Sequence, residues 1–280
     1  EAMRAHAVQV TRARRPRLHT CGTVCDDTAT TEISTAAAFV AAGGGIAVAK
    51  HGNRSISSKC GSADVLEALG ARLDLDVPQV EACLESTGFG FLFAPKHHGA
   101  MKHAAGPRRE LGVRTLFNLL GPLCNPASAT HQVMGVYDGE LTEVIAGVLG
   151  GLGSEGALVV HGAGGLDELS LQGPNRVSRW DGTRVTTEVM EPAGLGLGMH
   201  ANTTLAGGDA ETNAGIVRAV LEGKPGPARN VVVLNAGAAF WVTGETPTLE
   251  AGVRRAEQVI DTGAANSALD GYLRFTQEAS

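Results

Sequence analysis

The sequence has no apolar run approaching the roughly 20 residues that a membrane-spanning helix needs, and no signal-peptide pattern opens it. A helical membrane span is therefore excluded from the reading. Basic charge is scarce as well: 23 Lys and Arg stand against 29 Asp and Glu, for a net charge of −6. Binding a polyanion draws on clustered cations, so nucleic acid fits poorly as the main partner. The one basic run, Arg12-Ala13-Arg14-Arg15-Pro16-Arg17, reads as a solvated linker face rather than a phosphate site. Cysteines are few and odd in number (Cys21, Cys25, Cys60, Cys83, Cys124), and no His or Cys pair follows Cys21 and Cys25 at zinc-ligand spacing. Free thiols in a reducing cytoplasm are the expectation. Aromatics make up only 4% and charged residues 19%, whereas Gly reaches 38 residues. That balance suits an α/β protein with many tight strand-to-helix turns and does not suit a disordered chain. Position 1 is not Met, and Glu1-Ala2-Met3-Arg4-Ala5-His6 reads like the tail of a helix whose earlier part is absent.

What is present alternates between short apolar β-type runs and helical patterns, the mark of a sheet with crossover helices. The pattern predicts strands over 18–23, 46–49, 89–93, 132–137 and 157–161. It predicts helices over 33–42, 62–69, 77–86, 141–149 and 210–221, with two more near 249–261 and 265–278. A largely helical section over about 97–120 ends at the breakers Gly121-Pro122 and Asn125-Pro126. Residues 176–189 read as a hairpin turning at Asp181-Gly182, and 230–234 as a further strand. No internal repeat or low-complexity tract is found.

The most informative stretch is Lys50-His51-Gly52-Asn53-Arg54-Ser55-Ile56-Ser57-Ser58-Lys59-Cys60-Gly61-Ser62-Ala63-Asp64. Cations, hydroxyls, an amide and glycines directly follow a buried strand. Such a loop can hold an anion through backbone N–H groups, hydroxyls and a helix N-terminus together. Read alone, it fits an exposed polar loop equally well. Asp167-Glu168 offers adjacent hard oxygens suited to Mg²⁺ shared with phosphates, although an isolated acidic pair is usually solvated surface. His97 and His98, judged by composition, read equally as ordinary helix-cap or surface histidines.

Taken together these segments resemble the anthranilate phosphoribosyltransferase family. The Lys50 loop is similar to that family's phosphoribosyl-pyrophosphate loop. His97-His98-Gly99-Ala100-Met101-Lys102, with Arg108-Arg109-Glu110-Leu111-Gly112-Val113-Arg114-Thr115, resembles its anthranilate-side helix. Phe117-Asn118-Leu119-Leu120-Gly121-Pro122-Leu123-Cys124-Asn125-Pro126 resembles its substrate hinge. His161-Gly162 through Gly165-Leu166-Asp167-Glu168-Leu169-Ser170 resembles its metal-binding loop. The likeness runs from about residue 18 to the C-terminus.

The resemblance implies an α/β fold of the class-three nucleoside phosphorylase and phosphoribosyltransferase group. Its central, largely parallel mixed sheet would be flanked by helices. A small, here reduced, helical domain would comprise 1–15 and 97–128, and the α/β domain 16–96 and 129–280. It implies transfer of phosphoribosyl from its pyrophosphate to the anthranilate amine, in tryptophan biosynthesis. Phosphoribosyl pyrophosphate would be held by Gly22, Asp26, Thr30, Ile33, Ser34, Thr35, Lys50, His51, Gly52, Asn53, Arg54, Ser55, Ile56, Ser57, Ser58 and Ser62. Anthranilate would meet Gly22, Asn53, His97 and Arg108, with His98 beside them and Arg108 pairing with the carboxylate. Two Mg²⁺ ions per monomer are implied, one on Ser34 and one on Asp167 and Glu168. No nucleophilic side chain is required: Lys50 and Arg108 matter most, through positioning and electrostatics. A cytoplasmic homodimer is implied, weakened here where N-terminal helices are absent.

Three segments depart from the family pattern. Gly22-Thr23-Val24-Cys25-Asp26 stands where Gly-Thr-Gly-Gly-Asp is usual, and a Val forced into a glycine conformation costs on the order of 1–3 kcal/mol. Glu32-Ile33-Ser34-Thr35 replaces Asn-Ile-Ser-Thr and sets a carboxylate beside a polyanion site. Gly99 replaces a Pro. A working transferase of altered strength and a folded, inactive relative both remain open at this point. A nucleic-acid-binding relative fits the acidic balance least, and a pyrimidine phosphorylase fits the Arg108 and Phe117 segments poorly.

Overall fold

Seven strands form one sheet in the order β3-β2-β1-β4-β5-β6-β7 in the computed structural model, which describes residues 2–11, 17–23, 30–55, 60–99 and 116–279. β1 (Arg17–Cys21), β2 (Ala47–Gly52), β3 (Phe89–Phe93), β4 (His131–Gly135) and β5 (Gly156–His161) are parallel. β6 (Asn175–Trp180) and β7 (Val185–Met190) return as an antiparallel hairpin. The parallel strands are buried on both faces, which is why they read as continuous apolar runs rather than as alternation. β7 is one edge, β3 the other, and the exposed Thr186, Thr187 and Glu188 keep the β7 edge polar.

The helices are α1 (Ala2–Ala5), α2 (Ile33–Gly43), α3 (Ser62–Ala68), α4 (Val77–Thr87), α5 (Ala94–His97), α6 (Leu116–Leu123), α7 (Leu141–Gly151), α8 (Ala210–Leu221), α9 (Pro227–Val242), α10 (Leu249–Asp261) and α11 (Ala264–Glu278). Their starts follow local chemistry. Asp76, Asp209 and Thr248 each accept a first-turn N–H, and Gly88, at φ 74°, stops α4. The main core lies between one sheet face and α2, α9, α10 and α11, and includes stacked Phe39 and Phe89 with Tyr272 against both. On the other face Cys21, Met134 and Val159 meet Leu119 and Leu123 of α6 and Ile145 and Leu149 of α7. Among the described residues no helix is long and apolar enough to cross a membrane. Cys21, Cys60, Cys83 and Cys124 are buried free thiols.

Two expectations are corrected. The strand read at 230–234 is instead part of α9, whose residues from Val231 to Phe240 are all buried. Its valines are β-branched, but the helix is enclosed by β4, β5, α2 and α10, so all its faces are apolar and no 3.6-residue stripe betrays it. β2 also runs on to Gly52, so Lys50 and His51 are strand residues rather than loop residues. Within the helical section expected over 97–120, α5 ends at His97 and α6 begins at Leu116, and 100–115 lie outside the described residues. Residues 8–10 lie against this region, Val8 N–H donating to the His97 carbonyl and Val10 N–H to the Pro126 carbonyl, each at 3.0 Å.

Candidate functional site

The chemistry-bearing residues gather beyond the C-terminal ends of β1, β2, β4 and β5, where open parallel sheets collect their ligands. Lys50, near the end of β2, is 2% exposed. Its Nζ donates to the Thr20 carbonyl of β1 at 2.9 Å and to Ser34 Oγ at 3.1 Å. Ser34 sits in the first turn of α2, and its own carbonyl accepts from Thr20 Oγ1 at 3.0 Å. Thr35 Oγ1, beside it, donates to Glu32 Oε2 at 2.7 Å. Burial pushes the Lys50 pKa down, while the charges of Glu32 and Glu168 pull it back up. Strand and helix thus aim one ammonium and one hydroxyl at the same spot, beside first-turn N–H groups.

Beyond β2, residues 53–55 lie against the start of α3, Ala63 N–H donating to the Asn53 carbonyl at 3.3 Å. Asp64 Oδ2 accepts from Ser55 N–H at 3.0 Å and from Gly61 N–H at 2.9 Å. Gly52 lies close to its neighbours, since a Cβ on it would crowd Ser62 Oγ and lie 2.7 Å from the Phe91 ring. Asn53 is exposed and accepts from the Arg54 N–H. Arg54 is ion-paired with Glu67 and Asp64 on the exposed side, with Nη2 2.7 Å from Glu67 Oε1. Ile33 is packed into the core, which leaves only its backbone for a ligand, and Thr30 is bridged to Ala206.

Asp167 and Glu168 are both buried, 6% and 8% exposed, in the loop after β5. Three glycines make room for them: a Cβ on Gly135 would lie 1.5 Å from the Asp167 carbonyl oxygen, one on Gly22 2.6 Å from Asp167 Oδ2, and one on Gly162 against the Glu168 carbonyl oxygen. Thr23 Oγ1 reaches Asp167 Oδ2 at 3.4 Å. The loop is pinned by amides absent from the sequence reading. Asn235 of α9 holds Leu169, Asn175 exchanges hydrogen bonds with the Ser170 backbone, and Asn202 accepts from Ser170 Oγ. The signal for Asn235 was a lone amide inside an apolar run.

Ser34, Asp167 and Glu168 offer carboxylate and hydroxyl oxygens, a donor set that fits Mg²⁺. Among the described residues no group of three or more His, Cys, Asp or Glu is placed to hold an ion. Mg²⁺ in phosphate sites takes one or two carboxylates and completes its shell with substrate oxygens and water.

Histidines line the neighbouring face. The His51 and His98 rings meet edge-on at 5.0 Å between centroids, and His19 lies 6.3 Å beyond His51. His19 Nε2 is 3.3 Å from the His51 carbonyl oxygen. Burial drives the His19 pKa down to about 3, with the Lys50 charge adding to it. Burial likewise lowers His51, and His19, His98 and His97 add to that. These rings are neutral at neutral pH. His97 is turned to the N-terminal segment, its Nδ1 2.8 Å from the Val8 carbonyl oxygen. His19 was not among the residues expected from the sequence, and its only signal was a polar residue inside an apolar strand. Asp26, Ile56, Ser57, Ser58 and Arg108, together with Val24 and Cys25, lie outside the described residues.

A family model described as "Glycosyl transferase family, a/b domain" matches residues 14–266. The anthranilate phosphoribosyltransferase of Moorella thermoacetica is 51% identical over 276 residues, covering 99% of this chain and 81% of that protein. That of Acetivibrio thermocellus is 50% identical, covering 99% and 80%. Among solved structures, the Thermus thermophilus anthranilate phosphoribosyltransferase superposes with a TM-score of 0.93 at 46% identity, covering 99% of this chain and 82% of that one. The Saccharomyces cerevisiae enzyme, in complex with PRPP and Mg, gives 0.89 at 30% identity, covering 99% and 78%.

Proposed function

Because this chain belongs to the anthranilate phosphoribosyltransferase family, we propose that it joins the anthranilate amine to C1 of phosphoribosyl pyrophosphate and releases pyrophosphate, a step of tryptophan biosynthesis. The observation that carries this reading is the convergence of buried Lys50 on Ser34, at the mouth of α2. The departing group is a diphosphate, and positive charge builds on the sugar as it leaves. Lys50, the first-turn N–H groups of α2 and the hydroxyls of Ser34 and Thr35 hold that diphosphate. Fixed donors of this kind cost no reorganisation as charge develops. Asn53 and Arg108 take the anthranilate, Arg108 pairing with its carboxylate, and neutral His98 and His51 form the wall beside it. His97 borders that wall and ties it to residue 8. An amine aimed at C1 needs no protein nucleophile, only alignment and exclusion of water.

The proposal includes two Mg²⁺ ions, one held by Ser34 and one by Asp167 and Glu168; when bound they neutralise charge on the pyrophosphate oxygens. It includes a helical lobe of 1–15 and 97–128 over an α/β body of 16–96 and 129–280. It also includes a cytoplasmic homodimer, tested by light scattering in solution. The deciding experiment follows the loss of anthranilate fluorescence with phosphoribosyl pyrophosphate and Mg²⁺. It is run on this chain and on Val24→Gly/Cys25→Gly. Turnover that rises in the double variant is expected, and no consumption by either protein defeats the proposal.

A further inference from the structure

Asn213 of α8 is 2% exposed, and its side-chain amide grips the backbone of Gly208 from both sides. Its Oδ1 accepts from the Gly208 N–H at 3.0 Å, and its Nδ2 donates to the Gly208 carbonyl at 3.3 Å. The helix needs neither bond for its start, because Asp209 caps it by accepting from the Thr212 N–H at 2.9 Å. What the amide secures is segment 205–208, which lies against the approach to α2. The Thr31 N–H donates to the Leu205 carbonyl at 2.9 Å, and Thr30 is bridged to Ala206. Gly207 is wedged between the two layers. A Cβ on it would lie 2.5 Å from Asn213 Oδ1 and 3.0 Å from both the Thr30 carbonyl oxygen and the Thr31 nitrogen. The Asn213 side chain also hydrogen-bonds the Cys60 thiol, just before the Gly61 that opens α3. One buried amide thus braces both segments that lead into the site: residues 30–31, through Gly207, and residue 60, directly.

The following rests on the phosphate-binding reading of this site. We propose that Asn213 is a positioning residue for the diphosphate. It sets the spacing between the mouth of α2, with Ser34 and Thr35, and the foot of α3, with Ser62, and it acts through those helices rather than by touching the ligand. Lys50 comes from the sheet and does not depend on this contact. Loosening Asn213 therefore shifts the α2 hydroxyls and first-turn N–H groups against a fixed ammonium. A misplacement of about 1 Å between groups that must act together costs up to about 100-fold.

The test is titration calorimetry of inorganic pyrophosphate with Mg²⁺ into the intact chain and into Asn213→Ala, Gly207→Ala and Val217→Ala. Asn213→Ala removes the amide. Gly207→Ala keeps the amide but forces it away from Thr30, and it decides the question where Asn213→Ala does not fold. Val217, 1% exposed and further along α8, lies outside segment 205–208, so its truncation loosens the same helix without touching that contact. Thermal melts record the stability lost in each. Affinity is expected to fall by about 10–100-fold in Asn213→Ala and Gly207→Ala, and to stay within about twofold in Val217→Ala. In turnover the KM for phosphoribosyl pyrophosphate should rise by the same factor, while that for anthranilate stays within about twofold. Parent-like affinity in a folded Asn213→Ala or in Gly207→Ala, or an equal loss in Val217→Ala, overturns the inference and leaves the site reading standing. An anthranilate KM that rises in step does the same. Absence of pyrophosphate binding by the intact chain at millimolar concentration with Mg²⁺ overturns the two together.

Discussion

The side-chain amide of Asn235 exchanges two hydrogen bonds with the backbone of Leu169, Nδ2 donating to its carbonyl and Oδ1 accepting from its N–H, each at 3.0 Å. Leu169 directly follows Glu168, so a buried residue in the middle of α9 sets the height of the acidic loop. The same Nδ2 also donates to the Val231 carbonyl at 2.9 Å. Asn235→Leu would leave the Leu169 N–H and carbonyl without partners in a dry environment. We expect a loss of about 2–4 kcal/mol, measured by urea unfolding, since each buried unsatisfied group costs about 1–3 kcal/mol. Where the variant is still folded, Mg²⁺-dependent pyrophosphate binding should weaken with it. A variant as stable as the parent would show that the loop stands without this contact.

Gly135 and Gly22 press on the same loop from β4 and from the end of β1, with unequal consequences. At Gly135 a Cβ would meet backbone, the Asp167 carbonyl oxygen at 1.5 Å and its carbon at 2.2 Å, so the loop itself has to move. At Gly22 the nearest atom is the side-chain Asp167 Oδ2 at 2.6 Å, which can rotate away. Gly135→Ala is expected to lower stability by about 1–3 kcal/mol, as overpacking does. Gly22→Ala should leave the melt nearly unchanged and lower Mg²⁺ affinity instead. Calorimetry on both variants separates the cases, and equal melting losses would refute the distinction.

Lys50 presents the opposite trade. Its burial disfavours its own charge, so the folded protein gains little from the ammonium. Lys50→Met should lower the unfolding free energy by only about 1–3 kcal/mol, because it removes a desolvated charge but leaves the Thr20 carbonyl and the Ser34 hydroxyl without that donor. Its rate of anthranilate consumption should drop by about 10²–10³, the usual consequence of removing one fixed donor from a developing anion. A variant that unfolds but, when stabilised by ligand, turns over normally would reverse these roles.

Much of this was legible in the residues. Parallel strands announced themselves as short apolar runs, and of the helices with an amphipathic stripe α10 was placed to the residue and α11 to within one. Lys50, Ser34, Asp167 and Glu168 were reached through the family resemblance, because by composition alone the Lys50 loop reads equally as exposed and the acidic pair as solvated surface. Two kinds of feature were hidden. A helix enclosed on all sides has no periodicity to read, so α9 passed for a strand and Asn235 was lost with it. Contacts between distant segments leave no local trace either. Nothing near Gly135 says that Asp167 will lie against it, and nothing near His19 says that it will face His51.

The buried histidines give the fold an acid limit. His19 is fully enclosed, and its pKa falls from the ordinary 6.5 to about 3, first through burial and then through the charge of Lys50. Between those two values the unfolded chain binds a proton that the folded protein refuses. Unfolding then takes up protons, so stability is complete above pH 6.5 and declines as the pH drops through that value, down to about 3. Each such histidine contributes about 1.4 kcal/mol per pH unit inside the window, so His19 alone removes about 2 kcal/mol between pH 6.5 and 5. His51 is lowered in the same sense, as are His97, His98 and His131, all chiefly by burial, and they steepen the decline. Urea unfolding at a series of pH values should therefore show stability rising from pH 5 to a plateau above 7. In His19→Gln the slope below pH 6.5 should shrink by the equivalent of about one proton. An unchanged slope in that variant would mean that His19 is protonated in the folded protein, and that its ring is not held neutral between β1 and His51.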